Sequence, residues 1–71
     1  DDAATVIERV ADAYARSGAA IDRLDGLTVD AGDWWFNLRP SNTEPLLRLN
    51  LEAPTTADVD RLVDEVRGHF A

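Results

Sequence analysis

The sequence predicts a two-layer α+β domain, with two amphipathic helices packed on one face of an antiparallel sheet of three to four strands. Three observations support this fold class. Apolar residues recur at helical spacing in both terminal segments. Apolar and polar residues alternate with a period of two between them, which is typical of a sheet with one covered face. Turn dipeptides separate the alternating segments.

The first helix is predicted over residues 3–17. Asp1 and Asp2 precede it and suit the positive end of the helix dipole, and Gly18 is a natural stop after the last turn. Its predicted apolar face consists of Val6, Ile7, Val10, Ala11, Tyr14 and Ala15.

The predicted strands follow. Ile21 and Leu24 are assigned to a short strand closed by the Asp25-Gly26 turn, and residues 27–29 form the next strand. After a turn at 31–33, the aromatic-rich segment 34–38 forms a third strand. The alternation places one set of its side chains in the core, namely Trp34, Phe36 and Leu38, and Trp35, Asn37 and Arg39 on the opposite face.

The last strand is predicted over residues 46–53, where Leu47, Leu49 and Leu51 alternate with Arg48, Asn50 and Glu52. Pro54 ends this strand, and Thr55 or Thr56 caps a second helix. The apolar stripe of that helix comprises Val59, Leu62, Val63, Val66 and Phe70.

Length and charge limit the function. The 71 residues are expected to form a single domain over 1–71, and without cysteine neither disulfides nor thiolate-bound metal can staple it. A net charge of −7 disfavours binding to nucleic acid or anionic membranes, although a local anion site remains compatible with it. No apolar stretch approaches membrane-spanning length, so the expected compartment is the cytoplasm.

The loop at residues 39–45 interrupts two strands with a cluster of hydrogen-bond donors. Arg39 offers a guanidinium fork, Ser41 and Thr43 offer hydroxyls, and Asn42 offers an amide and tolerates left-handed backbone. Converging donors of this kind bind phosphate. The same residue types also mark ordinary turns, so composition alone leaves both interpretations open.

The loop sequence R-P-S-N-T-E-P, followed by L-L-R-L and E-A, closely resembles the C-terminal signature of the α-D-phosphohexomutases. Asn42 in this signature resembles the phosphomannomutase/phosphoglucomutase branch, because phosphoglucosamine mutases usually carry Gly there. The segments 24–27 and 34–36 also match the family pattern, so the resemblance covers roughly residues 20–71.

This resemblance implies the fourth, C-terminal domain of an enzyme that interconverts hexose 1-phosphate and hexose 6-phosphate of mannose or glucose through a bisphosphate intermediate. The implied fold resembles the TATA-box-binding protein. By residue-to-residue match, Arg39, Ser41, Asn42 and Thr43 hold the phosphate that is not transferred. The resemblance assigns the phosphoserine, the Mg²⁺ site and the sugar-recognition loop to three other domains. We therefore expect no catalytic residue, no metal and no mutase activity in this chain alone.

Several residues have two interpretations. Arg48 shares a strand with the loop and either approaches the ligand or is a solvated strand charge. Trp35 is either an exposed aromatic or part of a contact with the other domains. His69 is assigned to the helix dipole, and the polar face of the second helix (Asp58, Asp60, Asp64 and Glu65) to solvent. The alternative function is a stand-alone phospho-ligand or protein-interaction module.

Overall fold

The computed structural model describes residues 2–41 and 47–70. Within them the chain runs α1 (Ala3–Arg16), β1 (Ala20–Asp22), β2 (Leu27–Asp30), β3 (Trp35–Pro40), β4 (Leu47–Glu52) and α2 (Thr56–Gly68). The four strands form one sheet in the order β1-β2-β3-β4, and every neighbouring pair is antiparallel. The predicted α+β class is confirmed.

The ends of α1 are determined by local chemistry. Asp2 is the N-cap: its Oδ1 accepts a hydrogen bond from the Thr5 amide at 2.7 Å, which holds the pKa of Asp2 below its ordinary value. At the other end Gly18 has a φ of +90°, and the amides of Gly18 and Ala19 donate to the carbonyls of Ala15 and Tyr14. This pair of bonds closes the helix as a Schellman motif.

The core lies between the sheet and the helices. Antiparallel pairing places Phe36 opposite Val29 and Leu51, and Leu38 opposite Leu27 and Leu49. Phe36 and Leu38 are fully buried, as are Leu27, Val29, Val10 and Val66. Tyr14 of α1 meets Phe36 edge-on, with ring centroids 5.1 Å apart.

The second helix completes the covered face. Thr55 caps α2 by accepting a hydrogen bond from the Asp58 amide at 3.1 Å, and Leu62 and Val66 are its buried residues. The Tyr14 hydroxyl of α1 donates to Glu65 of α2 at 2.8 Å, and Arg9 of α1 donates to the carbonyl of Phe70, just beyond α2, at 2.8 Å. Both helices therefore pack on the same face of the sheet and are bonded to each other's end of the domain.

Several sequence predictions of detail were wrong. Ala15 is exposed, because it lies on the solvent side of α1. Leu24 is 93% exposed and lies beyond the end of β1, because the chain already turns after Asp22. Trp34 precedes β3 and is only partly buried, packed against the core through stacking on Phe36. The alternation of Phe36 and Leu38 against Trp35, Asn37 and Arg39 is confirmed.

Neither of the two helices that the structure describes has the length and apolar character needed to cross a membrane.

The Tyr14–Glu65 bond predicts a specific loss of stability in alkali. Burial and the neighbouring Glu65 carboxylate raise the pKa of the Tyr14 phenol above its ordinary value of 10.0. The sequence contains a single tyrosine, no lysine and seven arginines that stay protonated, so Tyr14 is the side chain that titrates in this range. Above pH 10 the unfolded chain binds fewer protons than the folded one. The free energy of unfolding should therefore fall as pH rises past about 10.

Urea unfolding at a series of pH values measures this effect. In Tyr14→Phe the alkaline fall should disappear, and the free energy of unfolding at neutral pH should drop by about 1 kcal/mol because the Glu65 carboxylate loses its donor. Glu65→Gln is the matched control, since it keeps an acceptor and should retain a smaller alkaline fall. An identical alkaline fall in Tyr14→Phe and the parent chain would contradict this account.

Candidate anion-binding site

The sheet face that carries no helix has a graded distribution of charge. Three cross-strand pairs of β3 and β4 follow one another along it: Trp35 with Glu52, Asn37 with Asn50, and Arg39 with Arg48. In the first pair Trp35 Nε1 donates to Glu52 Oε2 at 3.0 Å, so the charged group at this end of the face is a carboxylate. The last pair consists of two guanidinium groups at the end of the strands that residues 41–46 connect. Positive charge is therefore concentrated beside the predicted loop.

The turn between β1 and β2 lies over the Arg39 end of this face. Asn37 Nδ2 donates to the Asp25 carbonyl at 2.7 Å, which attaches the turn to the sheet, and to Thr28 Oγ1 of β2 at 3.1 Å. The Asp25 carboxylate lies 3.6 Å from Arg39 Nη1. Both side chains remain substantially exposed, at 41% for Arg39 and 78% for Asp25, so this ion pair is open to solvent and to competing anions.

Gly26 makes this close approach possible. Its φ is +71°, in the left-handed region that favours glycine. A Cβ at this position would lie 2.8 Å from Arg39 Cβ and 2.9 Å from the Leu38 carbonyl oxygen. The Asp25-Gly26 turn recognised in the sequence therefore also supports the backbone that carries Arg39.

A cavity of about 360 Å³ lies at this end of the face, lined by Asp25, Gly26, Arg39, Pro40 and Arg48. A larger cavity of about 610 Å³ lies near the end of α1 and includes Asp30 and Glu65 in its lining. The smaller cavity is the better candidate for an anion, because its two guanidinium groups outnumber its single carboxylate, whereas the lining of the larger cavity contains two carboxylates and no basic side chain.

The structure describes two of the four predicted phosphate ligands. Arg39 lies near the end of β3 and is half-buried, and Ser41 follows the last residue of β3 and is also half-buried. Asn42 and Thr43 lie outside the described residues, as do Glu44 and Pro45 of the same signature. Their roles therefore stay predictions.

His69 and Asp58, which the sequence analysis assigned to the dipole and the polar face of the second helix, both contact nearby side chains. His69 is the C-cap of α2, with its ring edge-on to Tyr14 at 5.4 Å. Asp58 accepts from Arg61 at 3.1 Å, and this bond, followed by that with Thr55, lowers the pKa of Asp58. Across residues 2–41 and 47–70, no three His, Cys, Asp or Glu side chains are grouped as metal ligands would be.

The sequence did not predict that Asp25 and Asn37 help to position Arg39 at the candidate site. The local pattern identifies Asp25 only as half of a turn dipeptide, and it places Asn37 on the correct face without a partner. The Asn37–Asp25 hydrogen bond and the Asp25–Arg39 ion pair join residues 12 and 14 positions apart in the sequence, which no local pattern predicts. The strand register alone would bring Asn37 beside Arg39, but it does not predict how the turn folds over them.

Comparisons with known proteins show the family to which the chain belongs. Residues 1–69 match the family model described as phosphoglucomutase/phosphomannomutase, C-terminal domain. A phosphomannomutase of Methanocaldococcus jannaschii is 49% identical over 51 residues, which cover 72% of this chain and 11% of that protein. Phosphohexose mutases of Xanthomonas campestris pv. campestris are 52% identical over 52 residues, covering 73% of this chain and 12% of theirs. A probable phosphoglucosamine mutase of Pyrococcus horikoshii is 40% identical over 60 residues, covering 82% of this chain and 13% of that protein.

The fold defines a small α+β domain in which two arginines face each other at one end of the open sheet face. The chain belongs to the phosphoglucomutase/phosphomannomutase family and corresponds to the C-terminal domain of its members. The aligned segment spans only 11–13% of the length of these curated relatives.

The contact between Gly26 and Arg39 predicts an unequal effect of two alanine substitutions. Gly26→Ala should lower the free energy of unfolding by about 1–3 kcal/mol more than Gly32→Ala, because its Cβ clashes with backbone and Cβ atoms of β3. Gly32 has a φ of +99°, but a Cβ added there would have nothing within 4 Å, so it controls for backbone strain alone. Urea unfolding of both variants measures the difference, and equal losses would show that the turn does not press on Arg39.

Proposed function

We propose that this chain is the phosphosugar-binding domain of a phosphomannomutase/phosphoglucomutase, an isomerase of carbohydrate metabolism. In this proposal Arg39, Ser41, Asn42 and Thr43 hold the phosphate that is not being transferred while a hexose 1-phosphate and a hexose 6-phosphate are interconverted. The observation that carries the proposal is the position of Arg39. It stands beside a second arginine at the loop end of the sheet, in a chain whose net charge is −7.

The Arg39 environment suits an anion that binds and leaves. Its guanidinium can donate two parallel hydrogen bonds to phosphate oxygens and stays charged at all working pH values. The existing partner, Asp25, lies 3.6 Å away and is largely exposed, so this contact is weaker than a close bidentate pair. A phosphate can therefore replace the carboxylate without leaving a buried charge unpaired.

A phosphate clamp contributes to phosphoryl transfer by positioning. The transferred group reacts through a transition state that requires attacking and leaving oxygens in line, and fixing the distal phosphate orients the sugar for that geometry. The clamp itself neither makes nor breaks a bond. We assign the phosphoserine and the Mg²⁺ to other domains of the same enzyme, as the family resemblance implies. We accordingly expect no turnover from the 71-residue chain.

The identity of the hexose is a separate question from the phosphate site. The similar proteins are named phosphomannomutase, phosphohexose mutases and probable phosphoglucosamine mutase, so their names span different sugars. The phosphate is the group that these substrates share. We therefore propose mannose and glucose phosphates as the substrate class, with the sugar read by residues outside this chain.

Amide chemical shifts provide the direct test of the clamp. Titration of the chain with mannose 6-phosphate, glucose 1-phosphate or inorganic phosphate should produce saturable shifts centred on residues 39–45. Affinity should be weak, because one domain supplies only part of the complete site. Arg39→Gln should abolish the shifts, whereas Arg67→Gln, which removes the same charge from the last turn of α2, should preserve them. Shifts centred elsewhere, or none at high ligand concentration, would overturn the proposal.

In the intact enzyme, Arg39→Ala should raise the KM for hexose phosphate by about 10–100-fold, because a charge-assisted hydrogen bond to phosphate contributes about 1.5–3 kcal/mol. The fold should persist, since Arg39 is 41% exposed and its ion pair with Asp25 is solvated. Steady-state kinetics and circular dichroism measure the two effects. Unfolding of the domain would instead identify Arg39 as a structural residue.

A further inference from the structure

Trp35 is the aromatic side chain that the structure leaves on the open face of the sheet. It is 38% exposed, whereas Phe36, the next residue of β3, is fully buried on the covered face. Among the residues that the structure describes, the other exposed large apolar side chain is Leu24, which lies in the turn after β1 and outside the sheet. Aromatic side chains are enriched where proteins contact partners, and β3, which lies between β2 and β4, gives this ring a rigid support.

Carboxylates flank Trp35 on both sides. The antiparallel register places Asp30 of β2 opposite Trp35 on one side and Glu52 of β4 opposite it on the other, and we call these three residues the Trp35 row. Glu52 Oε2 accepts from Trp35 Nε1 at 3.0 Å, and Asp30 Oδ1 accepts from the Gly32 amide at 2.9 Å. In the part of the chain that the structure describes, no arginine forms an ion pair with either carboxylate.

The Trp35 row suits a basic side chain. A guanidinium or ammonium group over the face of an indole is attracted by the electrons of the ring. The Cβ atoms of directly opposed residues lie about 4.5–5.5 Å apart, so both carboxylates are within reach of a cation on the ring. Each carboxylate keeps an oxygen to which no described residue donates, and charge-assisted hydrogen bonds are roughly twice as strong as neutral ones. The row is therefore complementary to arginine or lysine.

The small size of this contact indicates where its partner comes from. One aromatic ring and two carboxylates bury far less area than the roughly 1,200–2,000 Å² of a stable complex between separate proteins. A partner on the same polypeptide does not need such an area, because the intervening chain gives it an effective concentration of about a millimolar. The relatives align with this chain over only 11–13% of their length, so most of a protein of this family lies outside the matched segment.

We propose that the Trp35 row is an interdomain contact, which receives an arginine or lysine side chain from another domain of the same enzyme. This inference rests on one part of the proposed function, namely that the chain is a domain of a longer enzyme. Trp35 and Arg39 are four residues apart on the same face of β3, which corresponds to about 13 Å. A domain that docks on Trp35 therefore stands beside the anion cavity without filling it. The contact fixes the orientation of Arg39 toward that domain.

Hydroxyl-radical labelling followed by mass spectrometry tests the contact, because it measures the solvent exposure of the Trp35 side chain itself. Trp35 should be oxidised at least about threefold more slowly in the intact enzyme than in the 71-residue chain, since a docked domain excludes water from the ring. Fragmentation of the labelled peptide separates Trp35 from Trp34, which precedes it and is partly buried.

A pair of charge-removing substitutions tests the basic partner. Asp30→Asn with Glu52→Gln removes both negative charges of the row but retains both acceptor oxygens. In the intact enzyme this variant should label Trp35 about two- to threefold faster than the parent and raise the KM for hexose phosphate by about two- to fivefold, because partly exposed ion pairs are lost. Asp60→Asn with Asp64→Asn removes two charges from the exposed side of α2 and should match the parent in both measurements.

The outcomes separate this inference from the phosphate clamp. Equal labelling of Trp35 in the intact enzyme and in the chain would overturn the interdomain contact and leave the clamp standing, because the Arg39→Ala kinetics test the clamp independently. Protection of Trp35 together with an unchanged KM in Arg39→Ala would overturn the clamp and leave the contact standing.

Three further results would contradict the proposed partner. Protection that Asp30→Asn with Glu52→Gln leaves unchanged would exclude a basic side chain on the row. Equal effects of the two double variants would show that net charge, and not the row, determines the labelling. Protection of Trp35 that rises with the concentration of the 71-residue chain, with dimers in sedimentation, would identify a second copy of the chain as the occupant.

Discussion

The register between β3 and β4 is the constraint on which both the core and the site depend. It pairs Phe36 with Leu51 and Leu38 with Leu49 on the covered face, and on the open face it pairs Arg39 with Arg48. Because the side chains of a strand alternate with a period of two, a slip of one residue would expose the apolar set and bury the arginines. Burial of the aromatic and aliphatic side chains therefore determines where the two cations lie.

This coupling divides the work between the two faces of a small domain. The covered face supplies stability through a core in which helices α1 and α2 meet the sheet, joined by the Tyr14–Glu65 and Arg9–Phe70 bonds. The open face is left to polar side chains whose charge runs from carboxylate to guanidinium. Arg39 and Arg48 lie on this partly exposed face, so the repulsion between their like charges has only a modest cost in stability.

The sequence predicts the elements well because each has a local cause. Apolar spacing identifies both helices, Thr55 caps α2 as predicted, and strand alternation assigns the faces of Phe36 and Arg39 correctly. Asp2, which was predicted only to suit the helix dipole, caps α1 as well. The errors at Leu24 and Trp34 fall at strand ends, where a turn can place an apolar side chain outside the sheet. The contacts of Asp25 with Arg39, and of Asn37 with the turn, depend on how distant segments pack. The family signature predicts the phosphate ligands; the pairing of Arg39 with Arg48 becomes visible only once the register is known.

The most direct measurement of the central claim is the NMR spectrum of the arginine Nε–Hε groups during titration with inorganic phosphate. The chain has seven arginines and no lysine, so each basic side chain can be followed individually. The account predicts a saturable shift of the Arg39 signal, while the signals of Arg16, Arg61 and Arg67 do not move. Small, uniform and unsaturable shifts of all seven signals would mean that phosphate only screens the surface, and would contradict the assignment of a phosphate site to this end of the sheet.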